Sequence, residues 1–353
     1  MKRYSASMVG GGGGGRLSLT GLAASPRFAL VAAADVRPDV CAELQRLHPG
    51  IRTFATHQEM FERAPTDVVC VSTYPPSHRE VTFDALKLPL QGMLVEKPLG
   101  HTAAAGRDIL SALRARKLPV AVPHGLLVAG YALEIIERVR NGEIGQLTLV
   151  EIECSGWDLM NAGIHWLDFF VTLCAGDAVE HVLAMCDSST RTYRDGLQVE
   201  TSAVTLVQMH SGVRCVMHTG DSLKIAREKK STLFRIIGTQ GQIEFWGWEL
   251  GYLLQNAQHP SVTFCEVPFG EGTYHQRHLE NLASQMDTGQ PDYTIAENSL
   301  RALEICEAAY LSSRHRCKVD FPFESFRAPA ENGWDPGQAY TGSGGGRDGR
   351  KLT

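Results

Sequence analysis

The first 123 residues alternate short apolar runs with amphipathic stretches of helical length, and that alternation leaves few folds open. SASMV (5–9) enters a run of six glycines, and 17–24 carries a helical pattern. FALVAAADV (28–36), TDVVCVST (66–73), GMLVEKP (92–98) and PVAVP (119–123) read as strands, with helices over 40–47, 78–86 and about 102–116 between them. Apolar strands separated by helices build right-handed βαβ units, whose parallel sheet is covered on both faces. The expected N-terminal architecture is a doubly wound α/β sheet of the dinucleotide-binding type.

From residue 124 the pattern changes. A helix near 129–141 precedes the strand LTLVEIEC (147–154), and a second helix runs over about 161–174. Strand-like segments then follow at 179–186, 199–209, 213–219, 231–238, 241–247 and 262–267, several joined by tight turns such as HSG and GTQG. Consecutive strands without helices between them predict a large open, mainly antiparallel sheet in an α+β domain. Helices near 273–288 and 296–313 close it. The expected domains are therefore 1–123, 124–324 and a Gly/Pro-rich tail over 325–353. That tail reads as a free end or as an arm lying over its own or a neighbouring subunit. Trp334 and Tyr340 favour the arm, and the basic GGGRDGRK offers contact with an anion.

Composition excludes several classes. The 353 residues are 43% hydrophobic and 21% charged, which is globular rather than disordered. A formal net charge of −5 argues against a nucleic-acid or anionic-membrane partner. No run of about 18 apolar residues predicts a membrane span. The basic N-terminus lacks the apolar stretch of a secretory signal, so a cytoplasmic location is expected. Nine scattered cysteines without CxxC read as reduced core residues, and no metal site is expected.

Four motifs carry chemistry. In the glycine run a G-x-G-x-x-G pattern fits as Gly10, Gly12 and Gly15, with Gly13 beside them, between a strand and a helix. Glycines there allow pyrophosphate to approach unpaired backbone amides at a helix N-terminus. Asp35 follows Gly10 by 25 residues at the end of the second strand, the spacing of an acid that accepts from ribose hydroxyls. It would repel a 2′-phosphate and favours NAD over NADP, whereas Arg37 can stack on adenine or pair with a phosphate. Glu96-Lys97-Pro98 ends a buried strand, at the edge of an open sheet where ligands bind. Proline keeps Lys97 out of helical geometry. Finally, NAGIHWLD (161–168) places Asn161, His165 and Asp168 along one helix. A half-buried histidine among apolar neighbours is expected to stay neutral and able to accept a proton. HExxH and GxSxG are absent, so zinc-protease and hydrolase-elbow chemistry have no support.

VEKPL (95–99), STYPPSH (72–78) and NAGIHWLD together resemble the glucose–fructose oxidoreductase, inositol dehydrogenase and rhizopine-catabolism (Gfo/Idh/MocA) family, over about residues 4–322. The resemblance implies a Rossmann domain followed by a domain whose open sheet forms a subunit interface, hence a homo-oligomer, dimer or tetramer. It implies Lys97 beside nicotinamide and substrate hydroxyl, with a lysine–proline bond that is often cis, and His165 as proton acceptor or donor. Ser72, Thr73, Tyr74, His78 and Glu96 join the glycines, Asp35 and Arg37 in the cofactor site. Asn161 stands where the family has aspartate, leaving Asp158 or Asp168 as substitutes in the proton path. Ser18 replaces a common histidine, and PHGLLVAGY (123–131) lacks a common arginine.

The activity implied is NAD-dependent hydride transfer to or from a secondary ring hydroxyl of a sugar, glycoside or cyclitol. Trp157, and also Trp166 and Trp248, offer flat faces for a sugar's C–H surface, or fill core. The competing readings are glycoside cleavage through transient oxidation, and a non-catalytic nucleotide-binding subunit.

Overall fold

The computed structural model describes residues 2–187, 192–225, 230–326 and 337. Its first elements are β1 (Tyr4–Val9), α1 (Gly13–Ala24), β2 (Phe28–Ala34), α2 (Pro38–Leu47), β3 (Arg52–Phe54) and α3 (His57–Arg63). Next come β4 (Val68–Val71), α4 (His78–Ala85), β5 (Gly92–Val95), α5 (Ala103–Ala115) and β6 (Val120–Ala121). The middle of the chain gives α6 (Gly130–Arg140), β7 (Leu147–Ser155), α7 (Ile164–Leu173), β8 (Val179–Cys186), β9 (Thr192–Arg194) and β10 (Leu197–Val199). It continues through β11 (Ser202–Met209), β12 (Arg214–Gly220), β13 (Thr232–Gly238), β14 (Gly241–Trp246), β15 (Gly251–Asn256) and β16 (Thr263–Glu266). Last are α8 (Tyr274–Thr288), α9 (Thr294–His315) and β17 (Val319–Asp320). Two compact units result, Met1–Val128 with Glu271–Leu300, and Ala129–Gly270 with Arg301–Thr353.

The first unit is built on a six-stranded sheet in the order β3-β2-β1-β4-β5-β6, all pairs parallel. Every residue of β4 and β5 is buried, which is why these runs show no alternation. On one face Leu19 and Leu22 of α1 and Leu44 of α2 share a core with Leu279, Leu282 and Ala283 of α8. Full burial of each of those α8 leucines contributes about 1.5–3 kcal/mol. Gly21 permits the close approach, since a Cβ there would meet Gln276 N at 2.9 Å. On the other face Val81, Ile109, Leu110 and Leu113 pack with Ala296.

The second unit holds a nine-stranded sheet, β16-β15-β14-β13-β7-β12-β11-β8-β17, antiparallel except for the β7–β12 pair. One face is buried: Val150, Ile152 and Cys154 of β7, Phe234 and Ile236 of β13, and Ile243 and Phe245 of β14. Helices cover it, with Tyr131 of α6 and Phe169 of α7 both against Phe245. Ser312 and Ser313 of α9 accept from the amides of Ala184 and Cys186 in β8. Register aligns Met185 with Val204 and Leu183 with Leu206 on the opposite face, where Met185 is 79% exposed.

Both sheets have the expected character. Elements absent from the sequence reading are the short ones, β3, α3, β9, β10, β17, and the less apolar β15. The first helix begins at Gly13, inside the glycine run, rather than at residue 17. All nine cysteines are free, and among the described residues no helix is long and apolar enough to cross a membrane. Of the tail over 325–353, all but 325, 326 and 337 lies outside the described residues.

Candidate active site

The glycine loop shows which glycines the fold itself demands. Gly10 has φ +94°, and a Cβ there would meet Ser72 O at 2.5 Å. A Cβ on Gly15 would collide with the Gly10 carbonyl, and one on Gly11 with Val40. Around Gly12 the nearest atom is Arg37 Nη2 at 4.0 Å, and Gly13 meets nothing within 4 Å. Gly10 thus makes the turn and Gly15 the close helix–strand packing, while Gly12 and Gly13 leave a bare backbone facing open space. Gly12 caps α1 without a side-chain hydrogen bond, and its first turn carries no acid. Such a cradle of amides at a helix N-terminus fits the pyrophosphate of a dinucleotide.

Asp35 follows β2 and accepts from Gly11 N at 2.7 Å and Arg37 N at 2.9 Å. The Arg37 guanidinium adds a two-pronged contact, Nε to Oδ1 and Nη2 to Oδ2, each 3.0 Å. Burial on its own raises the Asp35 pKa, but these hydrogen bonds outweigh it and hold the carboxylate below its ordinary value.

At the ends of β4 and β5 the strands turn toward this loop. Ser72 N donates to Val9 O, and Ser72 Oγ pairs with the buried Ser18 Oγ at 3.3 Å. His78 is fully buried, with Nε2 2.9 Å from Thr73 O and Nδ1 3.0 Å from Pro98 O, so it ties the two strand ends together. Burial pushes its pKa down, against the pull of those carbonyls and of Glu96. Ser77 Oγ donates to Thr73 Oγ1, and Tyr74 is about half exposed beside them. Glu96 is buried, and a Cβ on Gly14 would meet its carboxyl carbon at 3.2 Å, so the acid lies against the glycine loop. His275 Nε2 of α8 lies 2.8 Å from Glu96 Oε1, and Lys97 N donates to Glu96 Oε2 at 3.2 Å. Burial opposes ionisation of Glu96, but His275, Lys97 and His78 together lower its pKa. Lys97 is half-buried and the Lys97–Pro98 peptide is cis.

The second unit carries the remaining candidates on the π-turn Leu159–Gly163 and on α7. Asp158 caps that turn, accepting from Asn161 N at 2.8 Å, and both of its oxygens lie 3.0 Å from Asn161 Nδ2. The amide oxygen of Asn161 therefore turns away from Asp158. Arg194, 2% exposed, donates Nη1 to Asp158 Oδ2 and Nη2 to Asp221 Oδ1, both at 2.9 Å. Glu200, fully buried, accepts from Leu159 N at 2.7 Å and Tyr310 Oη at 2.8 Å. Its pKa is pushed up to about 8, first by burial and then by the charge of Asp158. His165 is half-buried, and its ring meets that of Trp248 edge-on at 6.1 Å. Trp248 has φ +71° and is 42% exposed, a conformation strained for a bulky residue. Trp157 is half-buried. Trp166 is core, packed on Phe234 with Nε1 donating to Cys154 Sγ, and so offers no face to a ligand. Burial alone pushes the Asp168 pKa well above the ordinary carboxylate value.

The first unit thus gathers Gly10, Gly12, Gly13, Gly15, Asp35, Arg37, Ser72, Thr73, Tyr74, His78, Glu96 and Lys97 around one edge of its sheet. Sequence reasoning missed His275, whose partner is 179 residues away, and Arg194, whose burial no local pattern marks. Among the described residues one cluster has ligand-type atoms close enough for a cation, His57, Glu80 and Asp84, but Asp84 already pairs with His57 and Lys87.

Comparison with known proteins gives a consistent picture. A family model described as an oxidoreductase family with NAD-binding Rossmann fold matches residues 5–124, and its C-terminal domain model matches 132–244. D-apiose dehydrogenase of Paraburkholderia graminis is 23% identical, covering 94% of this chain and 93% of that enzyme. Trans-1,2-dihydrobenzene-1,2-diol dehydrogenase of Oryctolagus cuniculus is 27% identical over 60% of this chain, and the match spans 64% of that enzyme's length. The structure of levoglucosan dehydrogenase with NADH and levoglucosan superposes with a TM-score of 0.79 at 16% identity, covering 91% of this chain and all of the other. At that identity the superposition establishes the fold.

Proposed function

The chain belongs to the Gfo/Idh/MocA family of NAD-binding oxidoreductases, and from that premise we propose that its substrate is a sugar, glycoside or cyclitol oxidised at a secondary ring hydroxyl. The observation that carries the reading is the Glu96-Lys97-Pro98 segment, at the sheet edge beside a glycine cradle shaped for a dinucleotide. The names of the relatives, dehydrogenases of D-apiose, levoglucosan and a dihydrodiol, support a polyhydroxylated substrate.

Oxidising a secondary alcohol removes the hydroxyl proton as hydride leaves carbon. Bound nicotinamide supplies the hydride acceptor. The imidazole of His165 takes the proton, and the Lys97 ammonium stabilises the negative charge developing on oxygen. In the reductive direction His165 returns the proton. Asn161, oriented by Asp158, hydrogen-bonds a substrate hydroxyl, and the half-buried Trp157 and the exposed Trp248 receive C–H surface. The Glu96 carboxylate, held by His275, fixes the backbone of Lys97 through the amide contact.

The same reading extends to location and assembly. The protein acts in the cytoplasm as a homo-oligomer, a dimer or tetramer joined through the face of the nine-stranded sheet opposite α6 and α7. Leu183 at 47% exposure, Met185 at 79% and Val204 at 46% form an apolar patch on the β8–β11 part of that face, the kind of surface that an interface covers.

The experiment is to release and identify nucleotide from fresh protein, then follow nicotinamide absorbance against a panel of sugars, glycosides and inositols. NADH accumulating stoichiometrically with one class, and lost in Lys97→Met and His165→Ala, is the expected result. Aglycone release without net NADH would replace the reading with cleavage by transient oxidation. Turnover unchanged in both variants would remove Lys97 and His165 from the chemistry.

A further inference from the structure

The Asp35–Arg37 pair is built differently from a lone ribose-binding acid. Backbone amides of Gly11 and Arg37 hold the carboxylate from within, and the guanidinium covers it from without, one nitrogen on each oxygen. The Asp35 side chain is 5% exposed, that of Arg37 51%. Arg37 Nη2 also reaches to 4.0 Å from where a Gly12 Cβ would stand, so the guanidinium overhangs the glycine loop. Tyr74 and Asp39 are the other titratable groups in its field, both adding to its hold on a proton.

Two consequences follow from charge and geometry. A bare aspartate rejects a 2′-phosphate by repulsion, but this carboxylate and guanidinium form a pair of zero net charge. A ribose diol, by contrast, reaches Asp35 only by taking the oxygen positions that Arg37 occupies, so the guanidinium must turn aside. Its exposed stem and solvent-facing position allow that, and a planar fork suits phosphate as well as it suits carboxylate. We propose that Arg37 is a movable counter-ion at the adenosine-ribose subsite, shielding Asp35 until a nucleotide arrives and pairing with a 2′-phosphate, so that the chain takes NADP(H) as well as NAD(H). The proposal rests on the nucleotide reading of the glycine loop and is independent of the substrate.

The test titrates the full chain with NADH and NADPH, following nicotinamide fluorescence, for the wild type, Arg37→Ala and Arg37→Lys. The wild type should bind both nucleotides, with dissociation constants within about tenfold of each other. In Arg37→Ala the two should move in opposite directions: NADPH weakens by about tenfold or more, the loss of a charge-assisted contact, while NADH tightens as Asp35 is uncovered. Arg37→Lys keeps the charge without the fork and should fall between, and it serves as the comparison if the alanine variant fails to fold. NADPH binding should also fall more steeply with salt than NADH binding in the wild type alone. Loss of both nucleotides together, or an unchanged NADPH constant in Arg37→Ala, overturns the proposal. Wild type that binds neither nucleotide overturns the site itself, whereas binding without turnover on any sugar leaves this proposal standing and sinks the substrate reading.

Discussion

Replacing Arg194 by methionine isolates the charge cluster behind the π-turn. The guanidinium sits between Asp158, whose side chain is fully buried, and Asp221, 13% exposed, with a contact of 2.9 Å to each. Methionine keeps much of the length and removes the charge. Among the described residues, the Asp158 carboxylate then keeps its bonds to Asn161, and the buried Glu200 remains within its field. Removing one partner of a buried ion pair destabilises by about 3–5 kcal/mol, because the remaining charge stays out of water. Against a typical total of about 5–15 kcal/mol, that is a fifth or more of the stability of a domain. The Asp158→Asn, Arg194→Met double variant should recover part of the loss, since the fully buried charge is then removed and only the partly exposed Asp221 is left without the guanidinium.

Urea unfolding resolves this without ambiguity about which unit is read. Trp157, Trp166, Trp246 and Trp248 all lie in the second unit, and the first contains no tryptophan. Tryptophan emission therefore reports the unit that carries Arg194. Two results would refute the reasoning: a midpoint shift in Arg194→Met worth less than about 1 kcal/mol, or a double variant no more stable than the single.

Other consequences are as direct. Glu200, with its pKa pushed up to about 8 from 4.5, holds a proton in the folded state that the unfolded chain releases. The stability this contributes is complete below the unfolded value and lost as pH rises through the folded one, so melting temperature should fall from about pH 4.5 to about pH 8. Glu200→Gln should flatten that slope, leaving the share of Asp168, whose pKa burial moves the same way; an unchanged slope contradicts the assignment. Gly15→Ala should destroy nucleotide binding and lower stability because its Cβ meets the Gly10 carbonyl, whereas Gly13→Ala, with open space around it, should fold as well as the wild type by thermal melt. Arginine at both Leu183 and Met185 should convert an oligomer to monomer in light scattering after size exclusion, with the nucleotide constants unaltered.

The legible parts of the fold are those whose signal is local. Val68–Val71 and Gly92–Val95 are apolar at every position because both faces are covered, and a doubly covered strand needs no further context to be recognised. Arg52–Phe54 is too short to show any period, and Gly251–Asn256 ends in polar residues that resemble a turn. The return of residues 271–300 to the first unit had no local mark either. Leu279, Leu282 and Ala283 make the same apolar stripe whichever sheet they face, and only the contact of α8 with α1 at Gly21 decides it. In the candidate site the glycines, Asp35 and Glu96-Lys97-Pro98 are close in sequence to the strands that carry them. His275 and Arg194 are not, and their roles rest on partners 179 and 36 residues distant.

Position 161 joins both kinds of information. The resemblance marks it as a departure, an amide in place of an acid, and taken alone that weakens the case for proton chemistry on this helix. The fold supplies the acid from three residues earlier. Asp158 binds the backbone and side-chain nitrogens of Asn161 at once, and Arg194 holds Asp158 in place. An amide held this way keeps its oxygen as a hydrogen-bond acceptor, as a carboxylate would be, though without its charge or its capacity to take a proton. Of the two tasks an aspartate could perform there, orienting a donor survives and relaying a proton does not. The proposed proton transfer therefore falls to His165, four residues on, and the network around Asp158 serves to keep the start of its helix in one geometry.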